Sequence, residues 1–201
     1  MNMQLLDRVG LKLHANGLPY DIPIHPNLVH LTLGLFIIAF AFDVAATLFP
    51  LEKPIFKFFA LTALRKGFYD IGWYNVLAAA VITFFTVAAG FFEMLLADPP
   101  ADVTSTWGLS AGATMLLHGL GGVLLLALVV VVTVWRGFQR YGWRKDQPRQ
   151  VQWGYLAACV AILGIMLVHG TLGAHMGSQF GIHTTAAELL RQGQRPDVVL
   201  K

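Results

Sequence analysis

Residues 109–135 read LSAGATMLLHGLGGVLLLALVVVVTVW, and none of these 27 side chains is charged. A helix rises 1.5 Å per residue, so about 20 apolar residues cross a hydrocarbon core. In lipid the backbone must satisfy its own hydrogen bonds within the segment, which makes the run a helix. This stretch is long enough to span a membrane with residues to spare.

Working outward, three more runs have the same character. Residues 28–49 are apolar apart from Asp43, residues 73–97 apart from Glu93, and residues 153–176 carry no charge. Pro50 and Pro54 close the first run, and Pro99 and Pro100 close the second. Trp73, Trp107, Trp135 and Trp153 stand at run edges, where an interfacial aromatic belt is expected. The expected fold is all-α: an integral membrane four-helix bundle over residues 27–177, after an extramembrane segment 1–26 and before an extramembrane tail 178–201. In the link between the first two spans, Pro54 to Lys66 mixes aromatics with bases and is expected to form a short helix lying in the interface.

Composition agrees. Hydrophobic residues make up 56% of the chain and charged residues 12%, against about 25% charged in soluble domains. The single cysteine, Cys159, lies inside an apolar run, so neither a disulfide framework nor a cysteine metal site is expected. A net charge of +3 with scattered bases gives no footprint for nucleic acid. Residues 1–26 lack the basic start, apolar core and cleavage site of a signal peptide.

Lys and Arg set the expected orientation. The first and third links hold nine (Lys53, Lys57, Arg65, Lys66, Arg136, Arg140, Arg144, Lys145 and Arg149); the other side holds five (Arg8, Lys12, Arg191, Arg195 and Lys201). The positive-inside rule then places both termini outside, in a periplasm or lumen, with the chain in a bacterial inner or thylakoid membrane.

The histidines carry the chemical signal. His25 and His30 open the first span, His118 lies in the third, His169 and His175 near the end of the fourth, and His183 just beyond. On that topology all six fall toward the outer face. Polar side chains at membrane depth are costly and tend to be functional. Three have a glycine four residues on: Gly34 after His30, Gly122 after His118, Gly173 after His169. Positions i and i+4 share a helix face, so each glycine leaves a recess beside an imidazole. Axial histidines from two helices with room between them are what a haem requires. The expected cofactor is haem b, one or two, with His118 the first candidate ligand and His30 or His169 its partner. His25 and His175 are placed nearer the water line, and His14 and His183 in solvent.

Other readings stand beside this one. Glycine is common where membrane helices pack closely, and a histidine can bond a neighbouring carbonyl. Imidazoles with Met166 and Met176 could bind copper, and one of the same histidines could ligate chlorophyll. No serine or cysteine nucleophile has a visible base and orienting acid, and no Walker-type loop is present. Glu93, near the outer end of the second span, could orient a ligand histidine, accept a proton from quinol, or reach water, being about a turn and a half from Pro99. Asp43 requires a cation, Arg136 or a base in the first link, because an unpaired charge at that depth is expensive.

At Ile24-His25-Pro26-Asn27-Leu28-Val29-His30, followed by Phe42-Asp43, the chain resembles the DUF2231 family of four-span bacterial membrane proteins. The resemblance continues through Ala88-Ala89-Gly90, His118 and the glycine-rich end of the fourth span, covering about residues 22–183. His25, His30, Asp43 and His118 match the family pattern. The family's later histidine is not matched near Phe180. Some members are joined to, or resemble anchors of, Rieske-type iron–sulfur domains, and some accompany terminal oxidase subunits. The resemblance thus implies an electron-transfer setting, with any iron–sulfur centre on a partner, since this chain lacks the Rieske ligand pattern.

The expectation is a b-type-cytochrome-like subunit of a respiratory or photosynthetic complex. It would take electrons from membrane quinol through haem near the outer face, and would be at most an electron-transfer subunit of an oxidoreductase. Its partners are the lipid bilayer and the other subunits of that complex. The alternative is a cofactor-free structural or assembly subunit.

Overall fold

The computed structural model describes residue 10 and residues 12–48, 65–143 and 151–199. The described chain is helical, with no strand; one isolated bridge, Thr104 to Ser110, closes the loop before the third long helix. The long helices are α1, Ile24–Leu48; α2, Arg65–Leu96; α3, Ala111–Phe138; and α4, Trp153–Ser178. A π-helical turn, Gln139–Trp143, extends α3. Two short helices follow, α5 at Thr185–Arg191 and α6 at Pro196–Val199. All four long helices are apolar and long enough to cross a membrane. At most 28% of each most apolar stretch is buried within the chain, so most of that surface is left for lipid.

Helix ends differ from the edges of the apolar runs. The second helix begins at Arg65 rather than near Trp73, and the third continues past Trp135. The added turns are polar, and several of their polar groups are paired. Arg65 donates to the Ala46 carbonyl at 2.8 Å, Arg140 to Asp70 at 2.6 Å, and Tyr69 and Thr47 share a hydroxyl contact at 3.2 Å. Apart from Arg65 and Lys66, which open α2, the expected interfacial helix lies outside the described residues.

The chain divides into two compact units. The larger contains Leu28–Thr86 and Leu124–Leu167. Its core draws on all four helices: Phe36, Ala39 and Ala46 of α1, Val76 and Ala79 of α2, Val129 and Val132 of α3, Tyr155, Cys159 and Ile162 of α4. Inside it lies an ion pair with both side chains at 0% exposure. Arg136 Nε donates to Asp43 Oδ2 at 3.1 Å and Nη2 to Oδ1 at 3.0 Å, with a further bond from Nη2 to the Tyr69 carbonyl at 3.1 Å. This planar two-point match is the strong form of the arginine–carboxylate bond. A Cβ on Gly72 would collide with the Asp43 carboxylate, so glycine is what lets α2 pass so close. Of the two partners expected for Asp43, the structure selects Arg136, inside α3 rather than in a link.

Two of the tryptophans at run edges also pack within the chain. Trp73 is nearly buried against Gly137, and Trp135 lies over Gly154 while its Nε1 donates to Gln152 at 3.3 Å. Trp153 is exposed, as a belt residue is.

The other unit holds the chain up to Asn27, Val87–Val123, and everything from Val168 onward. It contains the first turn of α1, the end of α2, the start of α3 and the end of α4. A small apolar cluster of Leu18 and Leu96, with Leu13 and Tyr20 against it, joins the N-terminal segment to α2.

Candidate functional site

Three imidazoles from three helices meet in this smaller unit. His118 of α3 stacks face to face on His169 of α4, with centroids 4.0 Å apart and planes 6° from parallel. His25 of α1 meets the His118 ring edge-on, centroids 5.8 Å apart at 90°. Glycines make this crowding feasible. A Cβ on Gly121 would lie 2.7 Å from His169 Nδ1, one on Gly90 2.8 Å from the His25 ring, and one on Gly173 3.0 Å from His118 Cε1. Gly122 is in ordinary contact with His169, at 3.8 Å.

The pattern is reciprocal. The glycine of α4 receives the ring of α3, and the glycines of α3 receive the ring of α4. The i, i+4 spacing places a recess beside each helix's own histidine; the structure puts the neighbouring helix's histidine into that recess. His30 and Gly34 belong to the other unit. There the His30 ring is exposed, and a Cβ on Gly34 would meet nothing within 4 Å.

The ring nitrogens are under-used. Buried Nδ1 atoms of His118 and His169 have no hydrogen-bond partner, and a buried polar atom left so costs about 1–3 kcal/mol. The His118 ring also meets the His169 backbone. His175, buried six residues further along the same helix, has an unpartnered Nδ1 as well. Trp107 packs edge-on against it with centroids 4.9 Å apart, and Thr106 Oγ1 lies 3.4 Å from its Nε2. Gln179 pins that loop by accepting from the Thr106 amide at 2.8 Å.

These residues fit an iron porphyrin by donor chemistry: two imidazoles, on adjacent helices, each with a buried nitrogen lacking a partner. The spacing is that of direct ring contact. A shared iron therefore requires the rings to part. Among the described residues no group of three or more His, Cys, Asp or Glu is arranged to hold a bare metal ion.

Glu93 has a different setting from the one its sequence position suggests. It is buried, and Oε1 accepts three hydrogen bonds: from Tyr20 Oη at 2.9 Å, the Ile24 amide at 2.8 Å and the His25 amide at 3.0 Å. Burial, the hydrogen bond to Glu93 and its charge together raise the pKa of Tyr20 above its ordinary value, keeping the phenol a donor. His183, expected in solvent, instead bridges two backbone carbonyls. Its Nε2 lies 2.8 Å from the Glu93 oxygen and its Nδ1 3.2 Å from that of Asn16. It does so from a left-handed backbone, φ 56°, unusual for a residue other than glycine. His14 is exposed and pairs with Asp21 at 2.6 Å.

The family model described as "Predicted membrane protein (DUF2231)" matches residues 21–186. No curated protein and no solved structure matches the chain. The match begins just before the His25-Pro26 turn, ends just after His183, and takes in the Asp43–Arg136 pair and every residue of the ring cluster. This chain belongs to the DUF2231 family of predicted membrane proteins.

Proposed function

We propose that this protein is a b-type-cytochrome-like subunit of a membrane electron-transfer complex, respiratory or photosynthetic, with the His118–His169 pair as its haem site. One observation carries the reading: two imidazoles on adjacent membrane helices each keep a buried Nδ1 without a partner. Such atoms are costly to leave unpaired, and in membrane helices they mark function. When bound, haem b supplies a one-electron centre whose potential follows its ligands and surroundings.

In this reading His118 and His169 hold the iron. Gly121, Gly122 and Gly173 are where the two rings sit, and His25, edge-on to His118, would border the group. Glu93, whose Oε1 holds three donors, is the candidate proton acceptor from quinol. The reading also includes quinol as electron source, partner subunits, and both termini on the periplasmic or lumenal side. Removing the buried Arg136 from the base count leaves 9 − 1 = 8 against 5, which keeps the same orientation.

A second reading rests on the filled recesses. Imidazoles seated on Gly90, Gly121 and Gly173 act as knobs in glycine holes, the packing device of membrane helices. The chain would then be a cofactor-free structural or assembly subunit. The complex purified with its partners decides between the two. A reduced-minus-oxidised haem b spectrum with a positive pyridine haemochrome supports the first. A fully assembled, colourless complex, whose assembly His118→Ala impairs, supports the second. Pigment extraction separates chlorophyll from haem.

A further inference from the structure

A helix leaves four backbone donors without intrahelical partners at its N-terminus, from the cap residue onward. For α1, which starts at Ile24, these belong to Pro23, Ile24, His25 and Pro26. Two are prolines and have no N–H. The two real donors, Ile24 and His25, both go to one oxygen of Glu93, 69 and 68 residues away on α2. The account is closed: deletion by proline covers half of the end, and a carboxylate from another helix covers the rest. A negative charge at this end is also favoured by the helix dipole.

Glu93 is itself held from both sides. Tyr20 donates to the same Oε1. The Glu93 carbonyl is one of the last four of α2, where helical partners run out, and the His183 ring meets it at 2.8 Å. One residue thus ties the start of α1 to the end of α2, with the N-terminal segment and the chain after α4 gripping it. Three residues before it on α2, one turn away, Gly90 receives the His25 ring.

We infer that Glu93 is a positioning residue for the ring cluster: by capping α1 from α2 it fixes the backbone of His25 and so sets that ring between Gly90 and the edge of His118. The inference deepens the haem reading and rests on it only in taking the cluster as the functional centre. Glu93 Oε1 accordingly serves as the shared acceptor for two backbone amides and the Tyr20 hydroxyl.

The test uses the full chain in nanodiscs, with amide exchange followed at Ile24 and His25 and the His25 ring followed by its NMR signals. In Glu93→Ala, protection of both amides falls about tenfold or more, as loss of hydrogen bonds to a charged group implies. The His25 ring signals shift away from their wild-type positions, while those of His14 stay. Glu93→Gln keeps an acceptor oxygen and gives an intermediate loss, so it carries the test if the alanine variant does not fold. Unchanged protection in either variant overturns the inference, as does lost protection with the His25 ring signals unmoved. The wild-type spectrum is scored separately. A colourless protein that loses protection in Glu93→Ala sinks the haem reading and upholds the cap; a haem-bearing protein with unchanged protection does the reverse.

Discussion

His118 and His169 lie face to face at 4.0 Å, each ring seated where the other helix has glycine. Neither helix alone contains this arrangement. Each supplies one knob and one hole, so a change at either glycine is felt by the opposite histidine.

Gly121→Ala should therefore destabilise the protein by about 1–3 kcal/mol, the usual cost of overpacking. Its Cβ would come within 2.7 Å of His169 Nδ1, and the stack on His118 hinders the ring from swinging away. Gly34→Ala, with open space around its Cβ, should be neutral or stabilising by up to about 1 kcal/mol through helix propensity. Thermal unfolding midpoints in one detergent compare the two directly. Equal midpoints would contradict the packing account.

The Asp43–Arg136 pair predicts a pattern rather than a single loss. Arg136→Met leaves a buried carboxylate uncompensated and should cost about 3–5 kcal/mol. Asp43→Leu combined with Arg136→Met removes both charges and should recover most of the folded yield. A double variant as poor as the single one would show that the pair does more than neutralise itself.

These two features divide what sequence could and could not yield. The need for an Asp43 partner followed from the cost of a lone charge in hydrocarbon, and Arg136 was one of the few cations within reach. The four spans followed from length and apolarity, and the concentration of imidazoles near one end of the helices from simple counting along each span. The i, i+4 rule describes one helix's own face. It is silent on which ring a neighbour inserts there, so the exchange between α3 and α4 was not legible. The start of α2 at Arg65 was hidden because pairing with residues distant in the chain, such as Arg140 with Asp70, keeps polar turns helical. Glu93 was legible as a residue able to orient a histidine, but its donors, lying 68 to 73 residues away, were not. The prolines at 23 and 26 were the available clue: a helix start with two donors deleted needs an acceptor for only two.

Alkaline titration gives a third prediction. The pKa of Tyr20 is raised on folding, so the folded state keeps a proton that the unfolded chain gives up above its ordinary value of 10.0. Stability from this group is fully present below that value and falls as pH rises beyond it. Unfolding midpoints measured from pH 8 upward should show that decline in the wild type. Tyr20→Phe should start less stable at pH 8, having lost a donor to Glu93, and should lack this component of the decline. An equally steep decline in the variant would remove Tyr20 as its source.

Cys159 is buried in the core of the larger unit, 1% exposed. A membrane-permeant maleimide should leave it unlabelled in the folded protein and label it on unfolding. Rapid labelling under native conditions would contradict the packing of α4 in that core.

The most direct test of the central claim is optical. The protein is purified with its native partners as wild type, His118→Ala and His169→Ala, and each is examined by reduced-minus-oxidised spectrum and pyridine haemochrome. The account predicts haem b in the wild type and its loss, or a shifted spectrum, in both variants. A fully assembled wild-type complex without haem, or a haem spectrum unchanged by either substitution, would contradict it.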